Sequence, residues 1–374
     1  MANGATCRPE DYMPQNQRYI LMVVPNLPEQ VSGGVARMVG YLRDAWQQMD
    51  GVPPMRLLVS RGSGSIWLSP FYLLRTLAII AVECSRGRVA LVHVNVASRG
   101  STLRKLVVVA VASLFGVPLV LHLHGGGYRQ FIAALPGFAT RLVGWMFRRA
   151  SRTIVLGEDW RDFVKTALQL TDQDVAVVPN GVPDPKPQGI GQKKDGARLL
   201  FMGRLSHEKG ADDLLRALSS DELIGVDWSA VIAGDGDLPE VHDYKKNAAL
   251  AARTEFPGWL SSAQADQAYA TSNIFVLPSH LEGLSIALLE AMAHGLAVVV
   301  TPVGAHSEVI DDGKNGILVP PGDSVALAAA LHRLISDNEL RQRLGKAARE
   351  RFEAEYDISR TAELWRSTYL DVMA

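Results

Sequence analysis

Pro278-Ser-His-Leu-Glu-Gly-Leu-Ser-Ile-Ala-Leu-Leu-Glu-Ala-Met-Ala-His-Gly295 follows a short apolar run, Asn273 to Leu277, of strand length. Together they predict a strand that turns through Glu282-Gly283 into a helix beginning near Leu284 and stopping at Gly295, a residue suited to helix C-termini. A helix that opens at the carboxyl end of a strand presents unpaired amides there. Gly283, Leu284 and Ser285 would offer those amides to a diphosphate, while Glu290, about two turns in, would aim a carboxylate at hydroxyl groups farther along the same ligand.

The same rhythm of short Val/Ile/Leu runs and longer helical stretches extends through the whole chain and predicts parallel strands covered on both faces. In the first half the expected strands are Tyr19 to Val24, Arg56 to Ser60, Ala90 to Val96, Pro118 to His122, Thr153 to Leu156 and Val175 to Val178. In the second they are Arg198 to Met202, Ser229 to Ala233, Asn273 to Leu277, Ala297 to Thr301 and Ile317 to Val319. A stretch dense in Pro and Gly, 181–196, separates the two sets and reads as a linker. The expected organisation is therefore α/β with two doubly wound parallel sheets: one unit over 1–180, a second over 197–355, and a last helix, 356–374, returning to the first unit. Facing sheets of this kind bind ligands at the carboxyl ends of their strands, which places a site in the cleft between them.

A chain of 374 residues, 48% hydrophobic and 21% charged, is large enough for two cores and too apolar to be disordered. Its two cysteines, Cys7 and Cys84, show no ligand spacing, so neither a disulfide framework nor a zinc site is expected, and a reducing cytoplasm fits. The polar start, Met1 to Asn16, reads as a leader without the apolar run of a secretory signal. The apolar stretches Ile66 to Cys84 and Leu106 to Leu123 are broken by Arg75 or by Gly116 and Pro118, and no spanning helix is expected. The net charge of -1 hides an asymmetry: residues 1–180 hold 19 Lys and Arg against 11 Asp and Glu, and the remainder 19 against 28. The basic half is expected to meet an anionic surface or ligand.

Four other stretches carry candidate chemistry. Phe201-Met-Gly-Arg-Leu-Ser-His-Glu-Lys-Gly210 follows a strand and sets Arg204 and Lys209 where two cations could clamp one diphosphate, although a basic surface turn would read the same way. Ser32-Gly-Gly-Val-Ala-Arg37 offers Gly33 and Gly34 for close backbone approach to a phosphate or sugar, a pairing that ordinary turns also show. His122-Leu-His-Gly-Gly-Gly127 ends a strand whose alternation sends His122 and His124 to one face; His122 is read as a buried structural residue. Gly234-Asp-Gly-Asp-Leu238 contains an Asp-x-Asp but fits a turn after a strand, and Asn180-Gly181 reads as a chain reversal before the linker.

With Glu282 and Glu290 in the context E-G-L-S-x4-E-A-M-A-x-G, with G-R-x4-K-G at 203–210, and with the glycine loops, the chain resembles the retaining glycosyltransferases of family 4, which have the two-domain GT-B fold. The resemblance runs from about Tyr19 to Tyr369 and is strongest from Leu199 to Asp323. It implies that the unit over 1–180 binds the acceptor and the unit over 197–355 the nucleotide-sugar, with a nucleotide diphosphate-sugar donor (UDP- or GDP-linked), no resident cofactor and no metal. By the same resemblance Glu282 and His124 stand beside the donor sugar, Glu290 meets the ribose, and Arg204 and Lys209 meet the diphosphate. Glu308 matches the family's G-G-x-x-E, with Val303 in place of the first glycine, and Asp237 stands where proline is frequent.

Two rival readings share the architecture: a nucleotide-sugar epimerase or phosphorylase, and a noncatalytic binding protein of carbohydrate assembly. The intact Glu282, Glu290, Arg204 and Lys209 speak against the second, and no GxGxxG follows the first strand to suggest a dehydrogenase. Between Tyr128 and Arg152, the apolar Phe131, Phe138, Trp145, Met146 and Phe147 alternate with Arg129, Arg141, Arg148, Arg149 and Arg152. That pattern suits either an interfacial segment on an anionic membrane, with a lipid-linked saccharide as acceptor, or an ordinary helix with its apolar face in the core. No nucleic-acid partner is expected.

Overall fold

The computed structural model describes residues 18–28, 33–62, 66–185 and 196–374; the leader Met1 to Asn16 and most of the linker lie outside them. The first sheet comprises β1 (Tyr19–Val24), β2 (Met55–Val59), β3 (Val89–Val96), β4 (Leu119–Leu123), β5 (Arg152–Val155) and β6 (Val175–Val177). Its order is β2-β1-β3-β4-β5-β6 and every pairing is parallel. All six residues of β1 are buried, as a central strand covered by helices on both faces requires.

The second sheet comprises β7 (Ala197–Met202), β8 (Trp228–Ala233), β9 (Thr254–Gly258), β10 (Ile274–Leu277), β11 (Ala297–Val300) and β12 (Ile317–Leu318), in the parallel order β12-β11-β10-β7-β8-β9. β9 is the one strand among the described residues that the hydrophobic pattern does not announce. It carries Glu255 and Pro257, pairs with β8 alone, and breaks register between Val231 and Ala233, as an edge strand containing proline does.

Strand order decides where the ligand-binding ends lie. From β7 the chain winds outward to β8 and β9, and from β10 it winds the other way to β11 and β12, so the switch point falls between β7 and β10. The loops after these two strands hold Arg204 and Glu282. In the first sheet the chain leaves β1 for the edge strand β2 and recrosses to β3, which sets the switch point between β1 and β3. Right-handed crossovers then put the helix Gly34–Trp46 on one face and the helices Ser69–Ser85, Gly100–Ser113, Gly137–Arg148 and Glu158–Leu168 on the other.

The last helix, Ile358–Met373, lies on the first face, against Gly34–Trp46 and β3. Tyr356 and Ile358 bond to the backbone of Val182, so the chain's two passages between the halves run side by side. Trp365 and Tyr369 are fully buried there; the Trp365 ring centroid is 4.8 Å from that of His93, and the Tyr369 hydroxyl is 3.0 Å from His93 Nδ1. Removing so large a buried ring leaves a cavity, so Trp365→Ala is expected to cost about 3–5 kcal/mol in denaturant unfolding. A change below about 1 kcal/mol would show that this helix does not stabilise the first sheet.

Candidate functional site

The segment after β10 turns at Pro278–Gly283 and enters the helix Ile286–Ala293, two residues later than the sequence pattern suggests. Ser285 is the N-cap, its hydroxyl accepting from the Leu288 amide at 3.4 Å, which leaves the amides of Ile286 and Ala287 at the first two helical positions without an intrahelical acceptor. Gly295 ends the helix with φ of 64°. The turn is wedged against the glycine loop that follows β4. A Cβ on Gly126 would stand 2.5 Å from the Glu282 backbone, and one on Gly283 would stand 2.8 Å from the His124 carbonyl oxygen. Side chains at either position would push the two halves apart.

The two glutamates have opposite surroundings. Glu282 is buried, and its Oε1 accepts from Lys209 Nζ at 2.5 Å and from Ser279 Oγ at 3.0 Å. Burial works upward on its pKa, but the charge of Lys209, the nearby His306 and these hydrogen bonds outweigh it and hold the carboxyl below its ordinary value. Glu290 is also buried, and burial raises its pKa despite the opposing Arg37 charge and the hydroxyls of Tyr41 and Tyr269. Arg37 and Tyr41 each reach its Oε1 at 2.7 Å, and Tyr269 reaches Oε2 at 2.9 Å. Arg37 and Tyr41 come from the first half, so Glu290 is a strut between the two halves. Three accepted hydrogen bonds leave room for about one more on a carboxylate.

These groups line one cleft of about 720 Å³, within the range of small-ligand sites. Gly33, Gly34 and His124 stand on one wall; Arg204, Lys209, Glu282, Gly283, Leu284, Ser285 and Glu290 stand on the other. Arg204 is exposed and forms no ion pair among the described residues. A Cβ on Gly33 would meet nothing within 4 Å, so the protein's own packing does not require its small size. Asp235 lines the cleft, whereas Asp237 points into solvent and is not part of the lining. Outside the cleft, His207, Asp212 and Glu240 bring potential ligand atoms within 4.8 Å of one another, with Asp212 already paired to Arg216 and to His207.

His124 Nε2 lies 2.6 Å from Asn95 Oδ1, and the Asn95 amide nitrogen donates to the Val23 carbonyl at 3.2 Å. Those two contacts put the proton of His124 on Nε2 and leave Nδ1 as an acceptor. Burial alone pushes the His124 pKa down to about 3. His122 is buried, with neither ring nitrogen hydrogen-bonded among the described residues, its ring centroid 3.7 Å from that of His124 and 4.9 Å from that of Trp365.

Several residues in and beside the cleft have roles that the sequence motifs do not show. Arg37 and Tyr41 meet Glu290 only across the halves, and Trp259, 41% exposed, reaches the cleft from the loop after the unannounced β9. Asn180 is more than a turn residue: its amide nitrogen donates to the Leu284 carbonyl at 2.8 Å, and its buried Oδ1, beside the cleft, has no partner among the described residues. Glu308 accepts from the Glu158 and Asp159 amides at 2.8 and 3.0 Å, capping a helix of the first half.

The basic segment divides between core and surface. Met146 and Phe147 are core residues and Phe131 is half-buried, so an interface has only Phe138 and Trp145 of the five apolar side chains to meet. Arg129 pairs with Asp159 at 2.7 Å and lies over the Trp160 and Phe163 rings, and Arg148 donates to the Leu168 carbonyl at 3.0 Å. Arg141 and Arg149 are exposed. No helix among the described residues is long and apolar enough to cross a membrane.

Residues 184–351 match the family model of glycosyl transferases group 1, and residues 18–181 match that of the glycosyl transferase 4-like domain. The chain is 30% identical over 292 residues to the alpha-maltose-1-phosphate synthase of Mycolicibacterium smegmatis, an alignment covering 70% of this chain and 75% of that protein. It is 27% identical over 270 residues to the glycogen synthase of Mycobacterium tuberculosis, covering 70% of this chain and 65% of that relative's length. In structure it resembles HepE from Anabaena in complex with UDP-glucose, with a TM-score of 0.71 and 19% identity over 94% of this chain and 99% of that one. Two facing doubly wound sheets of this kind make the GT-B fold.

Two buried histidines, His93 and His122, and the half-buried His124 beside the cleft shape how stability responds to acid. His93, His122 and His124 all titrate below the ordinary histidine value of 6.5 because burial disfavours their charged form. Below pH 6.5 the unfolded chain binds protons that the folded one refuses, so stability is lost as pH falls from there towards about 3, the His124 value. Each refused proton weighs about 1.4 kcal/mol per pH unit. The melting temperature is expected to fall steeply from pH 6.5 to pH 4.5 and less steeply in His122→Asn; identical slopes would remove His122 from this linkage.

Proposed function

Because the chain belongs to the glycosyl transferases group 1 family, we propose that it moves a hexose-type sugar from a nucleotide diphosphate-sugar to an acceptor hydroxyl, with retention of anomeric configuration. The observation that carries this reading is the convergence, in one cleft, of unpaired Arg204, half-exposed Lys209 and the open amides of Ile286 and Ala287. Cations and helix amides in a partly enclosed site stabilise the charge that develops on a departing diphosphate. The donor proposed is a UDP- or GDP-sugar; HepE, of the same fold, is described in complex with UDP-glucose.

In this reading the nucleoside diphosphate leaves the anomeric carbon as the acceptor hydroxyl enters from the same face, and a leaving phosphate oxygen takes the acceptor's proton. Lys209 stands between Glu282 and the proposed diphosphate position, so its ammonium serves both carboxylate and phosphate. Glu282 and the bare Nδ1 of His124 accept from sugar hydroxyls. Glu290 has one acceptor position left for a ribose hydroxyl, and Trp259 offers a flat apolar surface to the base. Gly33 and Gly34 leave room for the donor to approach the backbone. The reaction as proposed needs no metal. The acceptor proposed is a lipid-linked saccharide of surface polysaccharide or glycolipid assembly, met at an anionic membrane by the basic first half through exposed groups such as Arg141, Trp145 and Arg149.

Three measurements test this reading. Incubation with UDP-, GDP- and ADP-sugars and lipid-linked acceptors, with the product anomer read by NMR, should give one α- or β-linked product matching the donor's anomer; inversion would discard the retaining mechanism. Turnover should drop by about 10²–10³ in Arg204→Ala, as for loss of one preorganised charge donor, and survive EDTA in the wild type. Unaltered turnover in the variant would remove Arg204 from the diphosphate site. Glu290→Ala should weaken donor binding in calorimetry by about 1.5–3 kcal/mol, provided the variant stays folded.

A further inference from the structure

Three adjacent helices on one face of the first sheet, Ser69–Ser85, Gly100–Ser113 and Gly137–Arg148, each expose a large apolar side chain in the first turn: Phe71 at 68%, Leu103 at 67% and Phe138 at 74%. A helix that follows a parallel strand begins at that strand's carboxyl end, and the carboxyl ends of these strands face the cleft. The three side chains therefore form an apolar rim at the cleft end of the helical layer. Leu74, 66% exposed, and Trp145, 36% exposed, extend the rim away from the cleft. Exposed apolar groups scattered singly are common, but one in the opening turn of each of three neighbouring helices makes a row.

The charge around this band has one sign. Between residues 51 and 157 the chain contains thirteen lysines and arginines and a single acidic residue, Glu83. Glu83 is turned inward, accepting from the Tyr19 hydroxyl at 2.6 Å. Arg75, Arg99, Arg141 and Arg149 are exposed and form no ion pair among the described residues. The next helix on the same face, Glu158–Leu168, brings Glu158, Asp159 and Asp162 and marks where the basic surface stops.

We propose that this three-helix face is the membrane-docking surface of the protein, its apolar rim entering the headgroup layer of an anionic bilayer while the surrounding arginines bind lipid phosphates. The inference deepens the membrane-surface reading above and rests on it, extending the contact from the helix Gly137–Arg148 of the 128–152 segment to two neighbouring helices that the sequence pattern did not single out. Its orientation has a chemical consequence: with the rim at the cleft end, an acceptor anchored in the bilayer presents its headgroup to the cleft without leaving the membrane. Apolar insertion and electrostatic attraction act together in such adsorption, which makes it reversible and salt-sensitive. A second copy of the chain is the competing occupant, but so unbalanced a positive charge on a self-complementary patch would repel it.

Vesicle sedimentation of the full chain tests the proposal, using phosphatidylcholine alone and phosphatidylcholine mixed with phosphatidylglycerol. Wild type should sediment with the anionic vesicles only, and less so as salt is raised. Phe71→Ser combined with Leu103→Ser should reduce the bound fraction at least several-fold, as should Arg75→Ser combined with Arg141→Ser, whereas Val325→Ser on the other half should not. Melting temperature and donor binding should stay at wild-type values in all variants, since none of these residues lines the cleft. Wild type that ignores anionic vesicles at low salt, or variants that bind as well as wild type, would overturn the docking proposal. So would a dimer in sedimentation velocity that Phe71→Ser dissociates. Transfer to a soluble acceptor, measured in parallel, separates these failures from failure of the glycosyl-transfer reading, which would show as no turnover in any variant or in wild type.

Discussion

A carboxylate removed from water has to be met by donors, and Glu290 is met by Arg37 and Tyr41 from one half of the molecule and Tyr269 from the other. The requirement is strict because the carboxylate is buried and would be left uncompensated if the halves separated without a ligand to replace those donors. The same closeness lets the glycine loop after β4 lie on the Glu282-Gly283 backbone, and lets Asn180 reach Leu284. The cleft thus owes its shape to polar contacts between the halves and to glycines that allow backbone to approach backbone.

Within that cleft, two carboxylates eight positions apart in the chain are driven in opposite directions. Glu282 has a lysine at contact distance and is held ionised; Glu290 shares a more distributed set of donors and is pushed up by burial. Opposed environments for neighbouring acids are a recurring way of giving chemically identical groups different work. Here Glu282 lines the cleft in contact with Lys209, while Glu290 binds the halves together. Binding of a ligand to Glu290 would therefore act directly on the contact between the halves.

The first half is built asymmetrically around its sheet. One face is covered by Gly34–Trp46 and the returning last helix, with Trp46, Trp365 and Tyr369 stacked edge to face over buried histidines. The other face is covered by four helices, three of which keep apolar and basic outer sides. A sheet needs both faces covered, but nothing in that need calls for exposed phenylalanines, and their common position at the cleft end gives the surface a direction.

Much of this was legible along the chain. Hydrophobic periodicity located eleven of the twelve strands among the described residues, since a buried parallel strand must be apolar on both faces and a covering helix must be amphipathic. Glycine after the helix, charged residues after strands and paired glycines in loops marked the ends that form the cleft, because backbone geometry there admits few residue types. The edge strand β9 escaped because proline and glutamate are tolerated where one side of a strand is unpaired, and Trp259 escaped with it. The rest required the folded chain. Arg37 and Glu290 are 253 positions apart, so local spacing carries no sign of their pairing; it exists because two separately wound sheets face each other. In the same way periodicity between Tyr128 and Arg152 cannot tell an interfacial helix from a core one, as an amphipathic stripe fits both. Only the packing of neighbouring helices decided that Met146 and Phe147 go inward while Phe71, Leu103 and Phe138 stay out, because burial is a property of what lies opposite a side chain.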